Sequence, residues 1–174
     1  MEQYFDIVRE IGIDAGHRVT HHGSKCRNLH GHRYTVKAVV RGRLVEQGQE
    51  QGMVMDFGFL KDEMMDVIDA PADHGLMLWV HDPILQDMLG EGNSNNPMKT
   101  KRLVNQVAED NWALTYIEPY GKVLVLQDVP TAENLARHWY YELRPRVLAR
   151  TDNCADLVQV QVWETPNCMA RYPI

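Results

Sequence analysis

The sequence is short of cysteine and phenylalanine, has no surplus of positive charge and carries no long apolar run. Its cysteines, Cys26, Cys154 and Cys168, are 3 among 174 residues. An odd number with no secretory leader argues against a disulfide framework and for a reducing cytoplasm. The opening Met1-Glu2-Gln3-Tyr4-Phe5-Asp6 is acidic and poor in apolar residues, so it does not read as a signal peptide. No stretch approaches the ~20 apolar residues that a membrane helix needs, so no membrane partner is expected. Lys and Arg number 18 against 24 Asp and Glu, a net charge of −6, which speaks against a nucleic-acid groove. No glycine-rich nucleotide fingerprint is present, so neither a nicotinamide nor a flavin is expected. No repeat period appears. A chain of 174 residues predicts one domain, 1–174, able to bury a core without disulfide staples.

What is present in quantity is histidine, 8 residues, and their placement carries the argument. Tyr4 to His17 reads as a strand, with Phe5, Ile7, Ile11, Ile13, Ala15 and His17 on one phase of a two-residue repeat. Residues 18–29 read as a loop. A second strand spans about Leu29 to Leu44, with His30, His32, Tyr34, Val36, Ala38 and Val40 on one face and Arg33, Thr35, Lys37 and Arg41 on the other. Asp56 is placed to cap a helix bearing Phe57, Leu60, Met64 and Ile68, which Pro71 ends. Within 79–121, Gly90 to Pro97 reads as a flexible loop flanked by short helices. Lys122 to Gln127 is a short strand. Pro130-Thr131 opens a helix with Leu135, Ala136, Trp139, Tyr140 and Leu143 on one stripe. In the last strand, Asp156 to Glu164, the phase of Val158, Val160 and Val162 carries Glu164 inward. The order strand, strand, helix, strand, helix, strand predicts an α+β domain, an antiparallel sheet with helices on one face.

The chemistry gathers around His17 and the run Cys26-Arg27-Asn28-Leu29-His30-Gly31-His32. Histidines at i and i+2 on a strand point to one side. If the first two strands pair, three imidazoles converge, and three His ligands leave a tetrahedral position open, the pattern of a catalytic zinc. The competing account has each histidine satisfied by hydrogen bonds within the sheet. Cys26 fits either a fourth ligand, which would close the site, or a thiolate base beside the metal. Cys154 and Cys168 read as ordinary thiols. Asp73-His74 is an acid beside an imidazole, which on its own reads as surface. Glu164 on a buried phase needs a partner: an Arg, backbone amides or a ligand with parallel N–H donors. Thr131 reads as a helix cap and Glu133 as an acid at the positive helix end. Lys99 to Arg102 reads as a solvated basic face.

Taken in order, Asp14-Ala15-Gly16-His17-Arg18, Cys26 through His32, Gly52 through Phe57 with Leu60-Lys61, Asp73-His74 with Leu76, Pro130 through Asn134, and Trp163-Glu164-Thr165 resemble the 6-pyruvoyl-tetrahydropterin and 6-carboxytetrahydropterin synthase family. The resemblance implies a T-fold: a four-stranded antiparallel sheet with two helices on one face, joined with other copies into a barrel as a trimer or hexamer, with sites between subunits. It assigns zinc to His17, His30 and His32, and a catalytic thiol with a proton-relay pair to Cys26, Asp73 and His74. It places the pterin on Glu164, with Thr131 and Glu133 shaping the pocket. The substrate implied is a small pterin triphosphate, 7,8-dihydroneopterin triphosphate.

Three residues lie between Cys26 and His30, and that short spacing resembles the bacterial carboxy branch, which serves queuosine synthesis. The alternatives are 6-pyruvoyl-tetrahydropterin synthesis, a non-catalytic pterin-binding scaffold and a structural zinc protein. The chain departs from the family pattern at Gly16, where Ala or Ser is expected, and at Met77-Leu78, where an Asn usually follows Leu76. Residues 79–121 read as an insertion relative to compact members.

Overall fold

The computed structural model describes residues 3–90 and 97–174. Its strands are β1 (Phe5–His17), β2 (His30–Gly42), β3 (Gly75–Trp79), β4 (Trp112–Ile117), β5 (Gly121–Leu126), β6 (Ala155–Thr165) and β7 (Cys168–Tyr172). They hydrogen-bond in the order β4-β5-β3-β1-β2-β6-β7. The α+β class holds, but the sheet has seven strands and is mixed, which corrects the expected four-stranded antiparallel sheet: β3 runs parallel to both β1 and β5.

The three unexpected strands have a common cause. β3 is Gly-Leu-Met-Leu-Trp, β4 is a six-residue strand and β7 is Cys-Met-Ala-Arg-Tyr. None has the run of β-branched residues at period two that marks a strand in sequence.

The chain divides into two compact units. One comprises residues 1–13, 33–70 and 132–174. In it β2 pairs antiparallel with β6, and β6 with β7. Tyr34, Val36, Ala38 and Val40 are all buried on the expected face of β2. β6 departs from expectation because its register shifts opposite Val39 and Val40, where Gln159 and then Leu157 are the partners. Val158 is the extra residue of a bulge and is only half-buried, while Ala155 and Leu157 point inward before it and Val160 and Val162 after it.

α5 (Ala132–Arg150) packs on β6 and β7 through Leu135, Ala136, Trp139, Leu143 and Val147. Tyr140, expected on that stripe, is half-buried at its margin. α1 (Phe57–Met64) begins where the Asp56 carboxylate accepts from the Gly58 amide. Phe57, expected on its apolar stripe, is 50 % exposed, whereas Leu60 and Met64 are buried. Pro71 does not stop the helix outright. A π-helical turn (Met65–Asp69) leads into a last turn, α2 (Ala70–Ala72), so that the missing proline N–H falls where the helix pattern is already broken.

The second unit comprises residues 14–32 and 71–131. Parallel pairing of β3 with β5 requires a crossover, and α3 (Pro83–Leu89), α4 (Pro97–Asp110) and β4 supply it. The expected helices around Gly90 to Pro97 are therefore α3 and α4, while most of the expected loop, 91–96, lies outside the described residues. Leu78, Leu85, Leu103, Val107, Ala113 and Val125 bury one another, so the 79–121 stretch shares one core with β3 and β5. Lys101 and Arg102 are exposed on α4, and the side chain of Lys99 lies outside the described residues.

Leu143 is fully buried on α5. Leu143→Ala should cost about 2–5 kcal/mol of unfolding free energy, read as a lower denaturant midpoint at unchanged slope. The same change at Leu114, 39 % exposed, should stay within about 0.5 kcal/mol.

Candidate metal centre and active site

His17 is the last residue of β1 and is 1 % exposed. Its Nδ1 lies 2.7 Å from the Pro130 carbonyl oxygen, so Nδ1–H donates to that oxygen and Nε2 keeps the lone pair. His30 and His32 open β2 on the same face, and His30 Nδ1–H donates to the Asn28 carbonyl at 2.8 Å. The rings of His17 and His30 lie 4.6 Å apart, those of His17 and His32 5.1 Å, and those of His30 and His32 4.9 Å. One nitrogen from each falls within 4.8 Å of the others.

Burial lowers the His17 pKa to about 4, against the Pro130 bond, and the charges of His30 and His32 lower it further. The His32 pKa is lowered too, by burial first and by His30 second. Neutral imidazoles are the form that binds a metal. Three imidazole donors on two neighbouring strands fit a divalent ion such as zinc with a position left open.

Cys26 sits in a single 3₁₀ turn, Lys25–Arg27, as a half-buried free thiol. Its carbonyl accepts from the Val19 amide at 2.8 Å, which ties the turn back to the segment after His17. Its sulfur is not part of the three-histidine cluster.

Asp73 and His74 do touch, a point their adjacency left open. His74 Nδ1 is 2.6 Å from Asp73 Oδ2. The other oxygen, Oδ1, accepts from the Asp14 amide at 2.8 Å, and the His74 amide donates to the Asp14 carbonyl at 2.7 Å. β1 thus grips both residues through its backbone. Burial raises the Asp73 pKa, but the Asp14 amide, the His74 bond and the charges of His74 and Lys122 outweigh it and hold the carboxyl below its usual range. His74 adopts φ 53°, unusual for a residue other than glycine, and its side chain is 80 % exposed.

Thr131 is half-buried between Pro130 and α5, and its amide donates to the Val129 carbonyl at 2.8 Å. Glu133 and Glu164 belong to the unit formed by residues 1–13, 33–70 and 132–174. Glu133 is exposed in the first turn of α5. Glu164 is half-buried one position beyond the Thr35–Trp163 pair, which sets it beside Tyr34. Burial first, and the Glu164 charge second, push the Tyr34 phenol pKa well above its ordinary value.

Sequence reasoning missed Asp14 and Pro130 as partners of the site, because both act through main-chain atoms. It also flagged Gly16 only as a departure. A Cβ there would come within 2.7 Å of Leu76 Cδ2 and 3.5 Å of the His30 carbonyl oxygen, so the small residue and Leu76 go together.

The chain matches the family model for 6-pyruvoyl tetrahydropterin synthase over residues 6–173. A 6-carboxy-5,6,7,8-tetrahydropterin synthase of Rickettsia bellii is 31 % identical over 161 residues, covering 92 % of this chain and 94 % of the relative. One of Haemophilus influenzae is 27 % identical over 168 residues, covering 97 % and 98 %. Among solved structures, an uncharacterized protein of Wolinella succinogenes superposes with a TM-score of 0.69 at 24 % identity, covering 98 % of each chain. The 6-pyruvoyl tetrahydropterin synthase of Caenorhabditis elegans does so with a TM-score of 0.59 at 22 % identity, covering 98 % of this chain and 96 % of its own. These two likenesses show a shared fold, the T-fold. A match across nearly the whole sequence, with relatives of matching length, means that the chain belongs to the 6-pyruvoyl tetrahydropterin synthase family and is a lyase of that family.

Proposed function

We propose that the chain is a zinc-dependent 6-carboxy-5,6,7,8-tetrahydropterin synthase. It converts 7,8-dihydroneopterin triphosphate and water into 6-carboxy-5,6,7,8-tetrahydropterin, acetaldehyde and triphosphate, in the route to queuosine and other 7-deazapurines. The observation that carries the reading is one compact unit holding three neighbouring imidazoles, the Cys26 turn and a hydrogen-bonded Asp73–His74 pair. The carboxy branch is favoured by the names of the Rickettsia and Haemophilus relatives and by the three residues between Cys26 and His30.

His17, His30 and His32 hold the zinc, which when bound supplies Lewis-acid polarisation of a side-chain oxygen of the substrate. Cys26 Sγ, as thiolate, takes the proton from the adjacent carbon. His74 gives and receives protons at Nε2, with Asp73 fixing its tautomer. Glu164 is assigned the parallel N–H donors of the pterin ring, and Thr131 and Glu133 are assigned further roles in substrate binding. The protein is a single pterin-synthase domain, 1–174, with 79–121 as an elaboration of it. Mutual coverage of 92 % and 94 % with the Rickettsia bellii relative supports that stretch as integral to the domain. It works in the cytoplasm as a homo-oligomer, a trimer or hexamer, which protects the sheet edges at β4 and β7.

Metal content and turnover should separate in two variants. His30→Ala should lose most of its zinc by elemental analysis. Cys26→Ala should keep its zinc while turnover drops about 10²-fold or more, and a Cys26→Ala protein without zinc would make the thiol a ligand.

Glu164→Gln replaces one acceptor with a misdirected donor. Pterin analogues should bind roughly tenfold more weakly, by calorimetry, with zinc unchanged.

The product test is mass spectrometry after incubation with dihydroneopterin triphosphate. Acetaldehyde and the carboxylated pterin should appear in equal amounts. Accumulation of 6-pyruvoyl-tetrahydropterin without acetaldehyde would move the chain to the pyruvoyl branch and leave the zinc and thiol assignments standing.

A further inference from the structure

Asp82 is a carboxylate with no exposed surface at the head of α3. Its Oδ1 accepts from the Ile84 amide at 2.9 Å, an ordinary helix cap. A cap does not require burial: Asp56 caps α1 in the same way and is exposed. The second oxygen of Asp82 shows why this carboxylate is taken from water. Oδ2 accepts a hydrogen bond from the Thr20 hydroxyl, itself 9 % exposed, and lies 3.4 Å from Arg18 Nε. Burying a carboxylate is costly unless it is paired and hydrogen-bonded, and both conditions are met by residues one and three positions after His17.

A second contact joins the same two segments. The rings of Trp79 and His21 meet edge-on at 5.7 Å, and those of Trp79 and His81 do so at 5.2 Å. The segment after His17 is therefore held at three places. His17 is fixed to Pro130, Arg18, Thr20 and His21 are held to the stretch 79–82, and the Val19 amide bonds to the Cys26 carbonyl. Release of Thr20 and Arg18 would loosen the strand end that carries a histidine of the cluster and the partner of the Cys26 turn together.

We infer that Asp82, acting through Thr20 and Arg18, is a positioning residue that sets the Cys26 turn against the three-histidine centre. The start of the 79–121 stretch is then part of the catalytic machinery's support. This rests on the reading of Cys26 and the three histidines given above.

The test uses the zinc-loaded full chain as Thr20→Val, which keeps the shape and removes the hydroxyl, Asp82→Asn, and Thr20→Ser, which restores the hydroxyl. Thr20→Val and Asp82→Asn should lower kcat roughly 10- to 100-fold, with KM for dihydroneopterin triphosphate within about twofold, and Thr20→Ser should recover it. Iodoacetamide labelling supplies a readout independent of turnover. The Cys26 rate, relative to exposed Cys154 and Cys168 in the same sample, should rise about threefold or more in the first two variants and return in Thr20→Ser. An unchanged Cys26 ratio in both variants overturns the inference, whatever their thermal stability. If the unmodified protein does not turn over the pterin triphosphate, the functional proposal fails, and the labelling ratio alone decides the role of Asp82.

Discussion

Parallel pairing of β1 with β3, with Ala15 opposite Gly75, aligns Asp14 with the Asp73–His74 step and leaves His17 at the strand end. The rest of the site depends on that register. The Asp14 amide and carbonyl are both used, one on the Asp73 carboxylate and one on the His74 amide, so the acid and imidazole are held by a backbone that cannot rotate away. A one-residue slip would turn every side chain of β3 to the other face and break both bonds. On its other side, the β3–β5 register seats Gly75 close to Lys122, with 3.2 Å from a would-be Cβ to the Lys122 carbonyl oxygen and 3.3 Å to that of Ala72. A larger residue at 75 would press directly on the pairing.

Much of this was legible in the sequence where periodicity and chemistry coincide. The buried phase of β1 from Ile11 to His17 and the face of β2 from Tyr34 to Val40 follow the two-residue repeat, because each strand has one buried and one wetter side. The histidines were readable because they extend those phases. Other parts were not. β3 and β7 are five residues each, too short for a repeat to show. The bulge in β6 moves Val158 off the inward phase without any local mark, since valine suits either side of a sheet. The grip of Asp14 on Asp73, and of Pro130 on His17, uses main-chain atoms that every residue possesses, so no choice of side chain announces them.

The 79–121 stretch shows how an elaboration can be tied to chemistry. It packs with β3 and β5 around Leu78, Leu85 and Val107. Its entry, Trp79 to Asp82, instead faces residues 18–21. Asp82-Pro83 could have been read as a cap followed by a proline at the first helical position. Nothing in those two residues, however, reveals that the second carboxylate oxygen has another task.

The Pro130 carbonyl that fixes the His17 tautomer belongs to the main chain. Where a metal-binding imidazole leans on a side-chain carboxylate, a single codon change can remove the outer partner. Here any residue at 130 would still offer an oxygen. What proline contributes is a fixed φ and no N–H, which narrow the paths open to the segment and keep its nitrogen out of a hydrogen-bond ladder. The outer support of this ligand is thus written in the path of the chain. It is insulated from point mutation of side chains and exposed to insertions or deletions between β5 and α5.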